Sequence, residues 1–335
     1  MRLQTKLHRN WRGFWKLVHS VVDTGHPFLV HLVPIRRCNI ECGYCNEYDK
    51  VSQPVPLDVM LQRVDQLAAL GTSSIAFSGG EPLLHPQLDD IIRAIRGHGM
   101  MAALITNGYF LSPARIRSLN DAGLDFCQIS IDNVEPDDIS KKSLRLLDKK
   151  LQWLAEFAEF DVNINSVLGG GVRNPEDAQV ITARARELGF STSLGIIHGS
   201  DGHLRPLDTR SRQIFDEVTR DLKDTDSVFK NLYSSIHGFQ QNLVEGKPNT
   251  WYCRAGARYL YVCEDGLVHW CSQQRGTPGI PLAQYTIENI RTEYMRPKSC
   301  APYCTIGCVH RVSPLDSWRN PQTDRVPETP GLRMA

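Results

Sequence analysis

Apolar residues in this chain come in short runs separated by stretches with helical spacing. The segments "FLVHLVPI" (28–35), "SSIAFSGG" (73–80), "MMAALITNG" (100–108), "LDFCQISID" (124–132), "DVNINSVLGG" (161–170) and "FSTSLGIIHG" (190–199) are near-continuously hydrophobic and bounded by Gly, Pro, Asn or Asp. They read as buried strands. Apolar residues recur three and four apart over 57–70, 87–98, 112–122, 140–158 and 176–188, which predicts helices between the strands. Six strands alternating with helices imply right-handed βαβ units and a parallel sheet, whose ligands sit at the carboxyl ends of the strands. The fold class expected is α/β. Further on, "EDG" inside "YVCEDGLVHWC" marks a hairpin turn, residues 205–250 carry a mostly helical pattern, and the tail after Val312 is Pro-rich and extended.

Composition narrows the function without naming it. In 335 residues, 38 Lys and Arg stand against 37 Asp and Glu, a formal charge of +1. No overall field recruits nucleic acid, and none is expected as a partner. No apolar run reaches a spanning length, and the basic start lacks the apolar core of a signal peptide. The expected location is cytoplasmic. Clustered cysteines in that compartment point to metal rather than disulfides.

The ten cysteines fall into two groups with Cys127 alone between them. Cys38, Cys42 and Cys45 follow the first strand with C-x3-C-x2-C spacing, offering three thiolates, one fewer than a zinc or cubane site usually takes. Cys253, Cys263, Cys271, Cys300, Cys304 and Cys308 form the second group. Alternation on strand four puts Phe126, Gln128, Ser130 and Asp132 on one face and Cys127 on the other, toward the helices. There Cys127 reads as a buried apolar residue, and His85 in "LLHP" as structural.

C-x3-C-x2-C with Tyr44 before the last cysteine, "SGGEPLLHP" after the second strand, and "TNG" and "SID" closing the third and fourth resemble the radical S-adenosylmethionine (SAM) superfamily over about residues 28–200. The resemblance implies a partial (β/α)6 TIM-like barrel. It implies a [4Fe–4S] cluster on Cys38, Cys42 and Cys45 whose open iron SAM chelates, and reductive cleavage giving methionine and a deoxyadenosyl radical that takes hydrogen from a substrate. Glu81, with the backbone at Gly79 and Gly80, would hold the SAM amino group. Ser130 and Asp132 would take its ribose, with Gln128 deeper. Tyr44, Asn107, Asn165 and His198 fall where the family places SAM contacts, as does Asn163. For Asn107, Asn163, Asn165 and His198 a structural role stays open. An electron donor is implied, either a reductase or a ferredoxin or flavodoxin.

The second cysteine group, with Gly266 and four residues before Cys271, is similar to the SPASM/twitch extension of these enzymes. That extension is a small β-hairpin and helix domain holding auxiliary iron–sulfur clusters. Six thiols cannot fill two four-thiolate sites. One auxiliary [4Fe–4S] cluster is therefore expected on Cys253, Cys271 and two of Cys300, Cys304 and Cys308, with Cys263 packed in the hairpin and zinc as the alternative. The organisation expected is an N-terminal amphipathic helix (1–27), the barrel (28–204), a helical bridge (205–250), the auxiliary domain (251–312) and an extended tail (313–335).

Leu3, Leu7, Trp11, Phe14, Trp15, Val18 and Val22 recur at helical spacing in the first segment, with Arg2, Lys6, Arg9 and Lys16 marking another face. Such a helix suits either a membrane interface or the side of the barrel. The first reading implies peripheral contact with the inner membrane face and a lipid or lipid-linked substrate. The alternatives are a peptide substrate, for which only 27 residues precede the first strand, and a small metabolite. An iron–sulfur electron carrier is the alternative outside enzymes.

Overall fold

The computed structural model describes residues 22–198, 206–223, 238–249 and 251–314, with single residues 11, 18, 20, 204 and 316. Most of the N-terminal amphipathic segment, the middle of the bridge and most of the tail lie outside the described residues.

Six parallel strands form where the apolar runs predict them: β1 Leu29–Leu32, β2 Ser74–Phe77, β3 Met101–Thr106, β4 Phe126–Ser130, β5 Asp161–Gly169 and β6 Ser191–Ile197. The intervening helices are α1 Leu57–Ala69, α2 Leu88–Gly97, α3 Pro113–Ala122, α4 Leu144–Phe157 and α5 Asp177–Glu187. Helix α4 begins four residues later than its periodicity predicts, at Leu144. Ser140, Lys141 and Lys142 lie in the preceding loop, where the Asp137 carboxylate accepts the Ile139 and Ser140 N–H groups and turns the chain. The bridge contributes α6 Thr209–Lys223 and α7 Gly238–Val244.

After the bridge come β7 Tyr259–Val262, β8 Leu267–His269, β9 Pro278–Pro281, α8 Ile287–Met295 and α9 Gly307–Val312. The sheet runs β6-β5-β4-β3-β2-β1-β7-β8-β9 and is not closed. The C-terminal hairpin thus continues the barrel's own sheet. β7 pairs parallel with β1, placing Tyr259 beside Leu29 and Tyr261 beside His31, and β8 returns antiparallel. Gly266 makes the turn between β7 and β8 at φ 82°. A Cβ there would stand 2.9 Å from the Arg63 guanidinium, which reaches from α1 to the Cys263 and Glu264 carbonyls.

One core lies between the sheet and α1–α5. Val30 and Leu32 of β1, Ile75 and Phe77 of β2, and Cys127 and Ile129 of β4 are fully buried there. Cys127 is therefore packed away from the barrel interior, and Cys263, also fully buried, packs with Tyr259 and Tyr261 in a second core under the hairpin. Arg258 ties the ends of the chain to this frame. It pairs with Asp316, both side chains wholly buried, and donates to the carbonyls of His26 (2.6 Å) and Ser20.

Candidate active site

The carboxyl ends of the strands open into a cavity of about 350 Å³, within the size range of small-molecule sites. Cys38, Cys42 and Cys45 all line it, on the loop between β1 and α1. That loop is held by backbone bonds from Cys38 N–H to the Asp49 carbonyl (3.0 Å), Gly43 N–H to the Ile139 carbonyl (2.8 Å) and Cys45 N–H to the Cys42 carbonyl (3.0 Å). Gly80 lets the end of β2 press against it. A Cβ at Gly80 would meet the Arg36 and Arg37 carbonyl oxygens at 2.2 and 2.4 Å. This glycine serves the seating of the cysteine loop, as well as lining the cavity with Gly79.

Glu81 does not line the cavity. Its carboxylate is fully buried and accepts from the Thr106 hydroxyl (2.6 Å), the Asn107 N–H (2.9 Å) and the Leu83 N–H (3.0 Å), tying the end of β2 to the end of β3. Burial raises its pKa against the pull of those three donors. In this arrangement the carboxylate braces the two strand ends, whose N–H and O–H donors the sequence pattern does not reveal. Asn107 does line the cavity, and its amide donates to Asn39 Oδ1 (2.8 Å) and approaches the Cys38 sulfur at 3.7 Å.

Asp132 is also set back from the main cavity. Its Oδ2 accepts from the Tyr44 hydroxyl (2.5 Å), the Ser140 hydroxyl (2.7 Å) and the Lys142 ammonium (3.0 Å). Tyr44 in turn accepts from Lys142, and the Ser140 hydroxyl lies 3.7 Å from the Cys42 sulfur. Burial opposes the charge of Lys142, but Asp132, Tyr44 and Cys42 outweigh it and hold its pKa well above the ordinary value. Asp132 is thus a hub that fixes Tyr44 and Lys142, both of which face the cavity.

Ser130, Gln128, Asn165 and His198 line the cavity. Asn163 does not; it is buried, bonded to Ser191 and Ser193. The His198 Nδ1 lies 3.2 Å from the Thr305 hydroxyl, joining the end of β6 to the C-terminal segment. His85 is fixed away from the cavity by the Val55 carbonyl (2.8 Å) and the Gln87 N–H (3.2 Å).

Among the lining residues that escape the sequence reading are His31, Glu47 and Arg311. His31 points inward from β1, 7% exposed, stacked edge-on against Tyr259 with ring centroids 5.1 Å apart. Burial lowers its pKa to about 4, so the ring is neutral at physiological pH. Glu47 accepts from the Tyr261 hydroxyl (3.2 Å), and burial raises its pKa. Arg311 reaches in from α9. The inward alternation on β1 could have singled out His31; nothing local marks the other two.

The second cysteine group divides. Cys304 has its pKa raised well above the usual value by burial and then by the neighbouring Cys253, Cys271 and Cys300 thiols; burial pushes Cys271 up to about 12, with Cys253 and Cys300 adding to it. The Cys304 sulfur thus feels the other three, and Cys304 and Cys308 both pack against the core that holds Cys253 and Cys271. Buried Lys298 acts in the opposite sense on Cys253 and Cys300. None of the four lines the cavity, whereas Cys308 does.

Residues 32–203, just over half of the chain, match the family model of the radical SAM superfamily. The chain belongs to the radical SAM superfamily. Among its relatives, a GTP 3',8-cyclase of Chlorobaculum tepidum is 29% identical over 154 residues, 44% of this chain and 47% of that protein. A PqqA peptide cyclase of Ruegeria pomeroyi is 35% identical over 104 residues, 30% of this chain and 28% of that protein. The matches thus span about half or less of the curated relatives. Among solved structures, Streptococcus suis SuiB bound to its precursor peptide SuiA superposes with a TM-score of 0.62 at 14% identity, covering 82% of this chain and 66% of that one. Native anSMEcpe with bound AdoMet and a Cp18Cys peptide gives 0.56 at 15% identity, covering 89% and 98%. At these identities the likeness shows the fold, the partial barrel.

As a member of that superfamily the chain is an enzyme that works with SAM and a [4Fe–4S] cluster. The first cysteine loop fits that cluster. Burial raises the Cys38 pKa and pushes Cys45 up to about 11, opposing the deprotonation that iron requires, while Lys50 beside Cys38 and Lys142 beside Cys45 favour it. No helix among the described residues is long and apolar enough to cross a membrane.

Proposed function

We propose that Cys38, Cys42 and Cys45 hold the SAM-binding cluster and that the chain abstracts hydrogen from a polar substrate bound in the adjoining cavity. One observation carries this reading: the three cysteines share a single cavity with the ends of the strands from β2 to β6. Gly79, Gly80, Asn107, Ser130, Asn165 and His198 surround SAM, Tyr44 and Lys142 are held toward it by Asp132, and Glu81 braces the wall behind. A ferredoxin, flavodoxin or reductase supplies the electron.

Cys253, Cys271, Cys300 and Cys304 hold one auxiliary [4Fe–4S] cluster in a twitch-like C-terminal segment. The influence of Cys253, Cys271 and Cys300 on Cys304 supports this set, with Cys308 as the remaining thiol on the cavity wall. Residues 251–312 form that segment, and 28–204 the barrel.

The substrate is a peptide or a small polar metabolite. Polar side chains from His31, Glu47, Gln128 and Arg311 favour it over a lipid, and the peptide alternative gains support from relatives named for peptides. The lipid alternative rests on residues 1–27, mostly outside the described residues. The test is anaerobic SAM cleavage by protein reconstituted with iron and sulfide. Wild type forms deoxyadenosine; the variant with Cys38, Cys42 and Cys45 all changed to Ala forms none and keeps about four iron per chain, those of one remaining cubane. Deoxyadenosine from the triple variant would refute the reading.

A further inference from the structure

The Lys298 side chain is wholly buried, and it does not line the reaction cavity. Its ammonium donates to the Glu293 carbonyl (2.8 Å) and the Arg296 carbonyl (3.1 Å), stands 3.5 Å from a Glu293 carboxylate oxygen, and lies over the Trp270 ring, 5.0 Å from its centroid. Three acceptors match the three N–H groups of an ammonium, so the charge is fixed in place. Burying such a charge is costly even when it is paired, and an apolar side chain of similar volume often stabilises a fold as well. Three of the C-terminal cysteines are tied to this lysine by their neighbours in the chain. Trp270 precedes Cys271. Lys298 stands two residues before Cys300, with the Ala301 N–H donating to its carbonyl (3.1 Å), and the hydroxyl of Tyr252, next to Cys253, donates to the Met295 carbonyl. The Lys298 charge bears on the Cys253 sulfur more than any other charge does, ahead of Cys300 and Arg254, and it also acts on Cys300.

We propose that Lys298 is the fixed cation that sets the reduction potential of the iron–sulfur cluster held by Cys253, Cys271, Cys300 and Cys304, with Glu293 as its partial counter-charge. This rests on the auxiliary-cluster reading of those four thiols. Reduction adds one electron to a site that four thiolates already make anionic, so a positive charge beside it favours the reduced form and raises the potential. The Glu293 carboxylate opposes that effect. Its other bonds, from the Trp270 indole N–H (2.7 Å) and from the Arg296 guanidinium (3.1 Å), keep it beside the ammonium. Both side chains are at most 4% exposed, so solvent and salt screen their charges little. The C-terminal cluster thereby takes an electron more readily than its four thiolates alone allow.

The experiment uses the full chain with Cys38, Cys42 and Cys45 changed to Ala, reconstituted with iron and sulfide, so that only the C-terminal cluster is loaded. Its midpoint potential is read by EPR during reductive titration with dithionite and mediator dyes. K298M keeps an unbranched stem over Trp270 and removes the charge. It should retain about four iron per chain and move the midpoint to more negative potential. E293Q removes the opposing charge and keeps an acceptor for the indole N–H, and it should move the midpoint to more positive potential. Opposite signs separate charge from packing, since a loosened fold around the cluster would move both variants alike. A K298M midpoint that stays or rises, an E293Q midpoint that stays or falls, or loss of iron from K298M overturns the proposal. A triple-Ala chain that holds no iron before either change would instead refute the auxiliary-cluster reading beneath it.

Discussion

At the scale of single residues, the buried side chains around the cavity carry measurable consequences. His31 is the clearest. Its folded pKa of about 4 lies below the unfolded value of 6.5, so the unfolded chain binds the extra proton first. Stability from this group is complete above pH 6.5 and is lost as pH falls toward 4. The loss is about 3 kcal/mol from one side chain at 1.4 kcal/mol per unit. Urea unfolding of wild type and His31→Gln at pH 7 and pH 4.5 should show the wild type losing more, by about 2–3 kcal/mol. Equal losses would mean that burial does not hold the His31 ring neutral. Glu81 gives a second case. Glu81→Ala strands the donors of Thr106, Asn107 and Leu83, so it should destabilise by about 3–5 kcal/mol. Glu81→Gln should cost less, since its amide oxygen still accepts. A variant of unchanged melting temperature that merely binds SAM more weakly would return Glu81 to the role of a direct ligand.

At the scale of elements, the end of β2 and the cysteine loop form one unit. Gly80→Ala drives a methyl group into the Arg36 and Arg37 carbonyls, and rigid backbone on both sides leaves no room to yield. Iron in the first site should fall from about four per chain toward zero. Gly97→Ala, at the end of α2 with open space around it, should raise stability by about 0.5–1 kcal/mol and leave iron unchanged. Iron analysis and thermal melting of the pair separate a local clash from a general intolerance of alanine. The elements themselves were readable because parallel strands buried on both faces write long apolar runs, and six of them stand where expected. The start of α4 was not, because Ser140 and Lys142 fit a helical pattern yet are claimed by the Asp137 turn and the Asp132 hub. The parallel pairing of β7 with β1 was equally hidden. It depends on contacts between residues more than two hundred positions apart, and the "EDG" turn reports only that a hairpin exists. Three thiols at C-x3-C-x2-C were legible as a unit. That Cys308 lines the cavity while Cys300 and Cys304 do not was hidden, since spacing alone cannot say which face of α9 meets the cavity.

At the scale of the whole molecule, the pairing of β7 with β1 brings the C-terminal segment to the mouth of the barrel, so two groups of cysteines and one cavity share a continuous sheet. Buried Arg258 stabilises that union by joining the start of β7 to Asp316 and to the carbonyls of Ser20 and His26. A buried ion pair that loses one member leaves an uncompensated charge, costing about 3–5 kcal/mol. Arg258→Met should therefore lower stability by this amount and loosen both ends of the chain together, exposing the backbone near residues 20–26 and near 316 to protease at the same rate. The double variant Arg258→Met/Asp316→Leu removes both charges, and should recover a good part of the loss while leaving the two backbone carbonyls unpaired. If either end is cleaved alone in Arg258→Met, or the double variant is no more stable than the single, Arg258 does not couple the termini to the sheet, and the C-terminal segment is held at the barrel by the β1–β7 ladder without it.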